Sequence, residues 1–135
     1  PKGDYLENFT DAIVSGFKAM AMILAYLMVF TIGINILEHL GVFSVINNQG
    51  VAASFKGIFE MTIGINLVGM CDMGIRLKSV IAAFLVSFGG LSVAGQSMSM
   101  ARGSGIGLAD ILKIKLTHGM IAAIITTILI HIVVI

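Results

Sequence analysis

Charge is scarce in this chain. Lys, Arg, Asp and Glu make up 11% of its 135 residues, where soluble domains carry about 25%. The net charge of +1 leaves neither a basic surface for nucleic acid nor an acidic tail, so no nucleic-acid partner is expected. A single cysteine, Cys71, excludes a disulfide within the chain, and no Cys/His spacing suits zinc. Cys71 reads as a small buried hydrophobe. No nucleophile–base pair or metal-ligand cluster stands out, so neither an enzyme nor a bound cofactor is expected. No basic segment with a cleavage site precedes the first apolar run, so no signal peptide is expected either. What is abundant is apolar: 58% of residues are hydrophobic and the mean hydropathy is +1.06. A soluble fold of this length could not hide that much apolar surface. The composition implies an all-α integral membrane protein in contact with lipid.

Run lengths assign the spans. Residues 19–37, 79–101 and 116–135 carry no charge over 19, 23 and 20 residues, each long enough to cross a hydrocarbon core of about 30 Å at about 1.5 Å per residue. The last span extends back to residue 109, with Asp110 available near its start. Residues 1–18 are mixed polar and read as a lead-in, leaving 19–135 as the transmembrane domain. Between the first two spans the pattern changes. Lys56 and Glu60 split residues 39–71 into two uncharged pieces, and Gly50, Gly57 and Gly64 lie around the split. Neither piece spans comfortably. Two half-length helices, 44–55 and 58–71, form a re-entrant hairpin over residues 44–72, broken at Gly57 with its tip near Lys56–Glu60. The plainer alternative is one straight helix with Lys56 and Glu60 paired at i,i+4. In the hairpin topology Lys2, Lys18, Arg102, Lys113 and Lys115 fall on one side and Arg76 and Lys78 on the other, which places the first side in the cytoplasm.

Polar residues inside apolar segments carry the functional reading. The stretch FGGLSVAGQSMSM, residues 88–100, holds three glycines, three serines and a glutamine within a spanning run. Ser87, Gly90 and Ala94 share a helix face and suit close packing. Packing alone leaves Gln96 together with Ser92, Ser97 and Ser99, just after Gly89-Gly90, without a purpose. A glycine pair lets a helix unwind and turn backbone groups toward a cavity, as discontinuous helices do in transporters. Glu60 is a sharper signal, because a carboxylate at membrane depth costs a few kcal/mol. Its uses are to accept hydrogen bonds from a solute, to take up a coupling proton, or to pair with Lys56. Thr62 and Asn66 are expected on roughly the same helix face as Glu60 and Lys56, at i,i+3 and i,i+4 offsets. The candidate substrate-binding set is therefore Glu60, Thr62, Asn66, Gly89, Gly90, Ser92 and Gln96, with no metal site. Three spans and a hairpin leave one face of such a cavity open, which calls for a missing inverted repeat or a second copy of the chain. The competing use of the same residues is a non-transporting membrane scaffold.

Two blocks carry a family resemblance: GIFEMTIG at residues 57–64 and FGGLSVAGQ at residues 88–96. With their flanking helices they resemble the nucleoside-recognition, or Gate, domain of bacterial membrane proteins, most closely the sporulation integral membrane protein YlbJ type. The resemblance covers about residues 11–135. More distantly the chain is similar to concentrative nucleoside transporters and to the Gate segments of the ferrous-iron transporter FeoB. That resemblance implies one half of an inverted-repeat fold in a bacterial inner membrane. It also implies that Glu60 corresponds to a hairpin-tip carboxylate, that residues 89–96 correspond to an unwound helix, and that the cargo is a nucleoside-like solute with a coupling cation or proton. The chain departs from the concentrative transporters in lacking Gln-Thr before Glu60 and in having Met61 where they have Ala-Pro.

Overall fold

A computed structural model describes residues 5–133. They form helices throughout, with no strand among the described residues. Helix α1 is Tyr5–His39, and a short 3-10 turn, Val42–Val45, follows it. Then come α2 (Gln49–Phe59), α3 (Met61–Met70), α4 (Ile75–Phe88), α5 (Gly90–Met100) and α6 (Leu108–Val133). Three stretches are long and apolar enough to cross a membrane: Tyr5–His39, Ile75–Met100 and Leu108–Val133. Together with the composition they make this an integral membrane protein.

The boundaries differ from expectation in one place. α1 begins at Tyr5, inside the expected lead-in, and its 35 residues extend about 52 Å. The longer helix uses the polar residues 5–18 as helix formers beyond the apolar run. Residues 134 and 135 of the last expected span lie outside the described residues.

α2 and α3 are too short to cross. Their 11 and 10 residues extend about 16 and 15 Å against a core of about 30 Å. They fold back on each other instead. Ala53 of α2 and Val68 and Cys71 at the far end of α3 share a buried cluster with Leu85 of α4. At the open end a methyl on Gly50 would lie 2.5 Å from the Met73 sulfur. At mid-length Gly57 and Gly64 bring the two backbones together, and a methyl on Gly64 would collide with the Gly57 Cα. Small residues at such a crossing let backbones approach closely. The hairpin is therefore present, but it breaks at Glu60. Gly57 lies within α2 and serves the crossing.

The second broken element behaves as the glycine pair foretells. Gly89 and Gly90 have φ of +79° and +74°, a left-handed region that side-chain-bearing residues rarely occupy. Gly89 ends α4 and starts α5. α6 then runs back along α4: Lys115 lies beside Gly89, Gly119 packs on the Phe84 ring, and Thr127, Ile130 and His131 lie near Arg76 and Leu77. α1 packs on α5 through Tyr26, whose ring covers Gly95 and whose hydroxyl meets the Ser99 Oγ at 2.6 Å.

Candidate functional site

The two breaks meet. A methyl on Gly90 would lie 3.1 Å from the Met61 amide nitrogen and 3.2 Å from the carbonyl oxygens of both Gly57 and Phe59. The start of α5 thus rests against the hairpin tip, and four helix ends converge. Each end leaves backbone groups that its own helix cannot satisfy. Converging ends therefore concentrate free amides and carbonyls inside the protein, where irregular backbone is tolerated at membrane depth.

Glu60 occupies one of these ends. Its backbone is extended, φ −140° and ψ 115°, and that conformation breaks the helix. Its carboxylate turns back to cap α3: Oε1 accepts from the Thr62 amide at 3.1 Å and Oε2 from the Ile63 amide at 2.8 Å. A negative group on a helix N-terminus offsets the helix dipole. The residue is 2% exposed, so its charge is held by local amides rather than by water. The alternative in which Glu60 pairs with Lys56 does not form. Lys56 leaves α2 in another direction, donates to the Glu38 carboxylate of α1 at 2.7 Å, and stands 5.0 Å above the Phe43 ring.

The structure divides the remaining candidates. Gly89, Gly90 and Ser92 lie at the meeting of the breaks, and Gln96 is buried one turn further along α5. The serines of residues 88–100 have separate fates. Ser97 bonds the Val93 carbonyl at 2.8 Å and Ser99 bonds Tyr26. Ser92 is fully buried, and its hydroxyl has no hydrogen-bond partner among the described residues. Thr62 and Asn66 do not join this group. They are exposed on the outer face of α3, lining an open hollow of about 510 Å³ with Met61, Ile63 and Ile65. The expected shared face with Lys56 and Glu60 does not hold: Thr62 is two residues and Asn66 six residues beyond Glu60, roughly 200° and 240° around a helix of 3.6 residues per turn, and so on its far side. Separately, Gln49, Ala53, Lys56, Leu67 and Cys71 line a cavity of about 230 Å³ toward the open end of the hairpin.

One residue at the site was not foreseen. Lys115 of α6 places its Nζ where a methyl on Gly89 would meet it at 3.4 Å. It lies at the polar edge of an apolar run, where a lysine reads as an interfacial anchor. Only the antiparallel return of α6 brings it to the break. Among the described residues no group of His, Cys, Asp and Glu could hold a metal ion.

Comparison with known proteins bears on this arrangement in one way. The chain is similar to the sporulation integral membrane protein YlbJ of Bacillus subtilis (strain 168), with 24% identity over 127 residues, covering 84% of this chain. It spans 31% of that relative's length. No protein-family model and no solved structure matches the chain. What the likeness supports is the membrane assignment drawn from the helices: this is an integral membrane protein similar to one that is itself an integral membrane protein of sporulation.

Proposed function

We propose that this chain is one half of a Gate-type membrane transport unit that moves a small polar solute. The observation that carries the reading is the contact between two helix breaks, Glu60 in the hairpin and Gly89-Gly90 in the spanning helix. A membrane scaffold gains nothing from breaking two helices against each other. Breaks expose backbone groups that must then be satisfied, and the buried Ser92 hydroxyl without a partner adds a cost. A solute that binds and leaves makes use of those groups. Gln96 stands in this reading as a solute ligand, and Glu60 as the residue that holds the break open.

The exposed Thr62 and Asn66 on α3 mark the side on which the unit is incomplete. A polar side chain facing hydrocarbon lacks partners, so that face is assigned to the partner half, whether an inverted repeat or a second copy. A cation or proton supplies the coupling, and the bacterial inner membrane, in a cell that sporulates, is the proposed location.

The test is solute binding and uptake in liposomes by the completed unit, this chain together with its second half, with tritiated uridine as the first probe. Gln96→Ala is expected to weaken binding at least tenfold while the unfolding midpoint stays within a few degrees of the parent. Unchanged binding in Gln96→Ala, or no binding or uptake of uridine or of a panel of small polar metabolites, would overturn the proposal.

A further inference from the structure

We infer that the start of α5 is an oxyanion subsite, taking a carboxylate or phosphate group, in which Ser92 and Lys115 are the side-chain ligands. The inference rests on the transport reading and names the class of solute.

The contrast between two neighbouring helix starts leads to it. α3 begins under a carboxylate, that of Glu60, which accepts from two of its first amides. α5 begins at Gly89 with no side-chain cap. The amides of Gly90, Leu91 and Ser92 have no acceptor within their own helix, and the positive end of the dipole there attracts negative charge. An uncapped helix start is not a site by itself. Two further observations point to a ligand. The Ser92 hydroxyl is 0% exposed and unpartnered, and leaving a buried hydroxyl unpaired is unfavourable. Helical side chains tilt toward the N-terminus, so from the first turn this hydroxyl is directed back to the break. On the other flank Lys115 delivers an ammonium to Gly89. Amides, a hydroxyl and an ammonium are all donors.

Position follows from the glycines. The side of the break toward which Gly90 would point a side chain is occupied by the carbonyl oxygens of Gly57 and Phe59, which repel an anion. The side toward which Gly89 would point one holds the Val93 side chain, 3.1 Å from that position, and beyond it the Lys115 ammonium at 3.4 Å, with no carbonyl among its nearest atoms. An oxyanion therefore sits on the Lys115 side of the α5 start. A neutral solute would not need the ammonium.

The experiment uses the single cysteine. Cys71 is buried, so a thiol-reactive fluorogenic dye reports unfolding of the chain in detergent. The midpoint is measured with succinate, inorganic phosphate, or uridine. Succinate or phosphate is expected to raise it by several degrees in a saturable way, and the stronger of the two identifies the group as carboxylate or phosphate. Ser92→Ala, which removes an unpaired hydroxyl, is expected to match or exceed the parent's midpoint without probe and to lose affinity for the anion at least threefold. Lys115→Met is expected to lose it more than tenfold. Lys113→Met, one turn-half away on the exposed face, is expected to leave it unchanged. Stabilisation by uridine and by neither anion would overturn the inference and leave the transport reading standing. Equal anion effects in every variant would overturn it as non-specific ionic binding, and no effect of any probe would overturn both readings.

Discussion

Replacing Glu60 tests the geometry most directly, because the carboxylate has a structural task that is distinct from solute contact. Oε1 and Oε2 each hold one amide of the first turn of α3, at 3.1 and 2.8 Å. Polar hydrogen bonds within membrane proteins contribute about 0.6 kcal/mol on average and up to about 1.7. Glu60→Ala removes two of them and leaves two buried amides open, so its expected cost is about 1–3 kcal/mol. A gain from no longer burying a charge works against this. The charge is already compensated by the amides and the α3 dipole, so the loss of the cap dominates. Glu60→Gln keeps one acceptor oxygen and should lose roughly half as much. Glu60→Asp keeps a carboxylate of the type preferred at helix starts and should stay nearest the parent. The order parent, Asp, Gln, Ala is the result to look for in unfolding followed by Cys71 labelling, with a spread of roughly 4 °C per kcal/mol for a chain of this size. Glu60→Ala as stable as the parent would refute the capping role. It would also return Glu60 to the status of a carboxylate held in readiness for a solute or proton. Loss of uptake in Glu60→Gln therefore has meaning only beside its unfolding midpoint.

Three other outcomes follow from the packing. Gly64→Ala would set a methyl 2.7 Å from the Gly57 amide nitrogen and 3.3 Å from the Ala53 carbonyl oxygen. These are backbone atoms that cannot swing aside, so a loss of about 1–3 kcal/mol or more is expected in the same unfolding measurement. Lys56 is 10% exposed at its side chain and Glu38 57%, which makes the pair asymmetric. Glu38→Gln strands a buried ammonium and should destabilise more than Lys56→Met, which removes the buried charge and leaves a carboxylate in solvent; the reverse order would show that the bridge does not hold α1 to the hairpin. In a Cys71→Ala background, cysteines at Asn48 and Asp72 should be labelled by an impermeant maleimide from the same side of the membrane, and a cysteine at Arg102 from the other. Opposite-side labelling of Asn48 and Asp72 would exclude the re-entrant hairpin.

Both breaks were legible in the sequence because each violates what a membrane helix requires. A carboxylate at Glu60 and a glycine pair at 89–90 stand out against apolar runs whose lengths are fixed by the bilayer. What each break does was less legible. By composition Gly57 is the natural hinge, since glycine is the permissive residue. Yet Glu60 can break a helix unaided, because its side chain satisfies the amides that the break sets free. That leaves Gly57 for the one task Glu60 cannot do, close approach to Gly64. Thr62 and Asn66 lie on the outside of α3, because offsets of two and six residues from Glu60 fall on the far side of a helix, broken or not. The partners of Lys56 and Gly89 were out of reach for a different reason. Glu38 is 18 residues from Lys56 and Lys115 lies on another spanning helix, so periodicity within one segment cannot register them. They are set by how antiparallel helices align in depth. That alignment is itself a consequence of the breaks: α5 starts against the hairpin tip, α6 returns past Gly89, and of the two lysines in its first turns it is Lys115 that arrives beside the break.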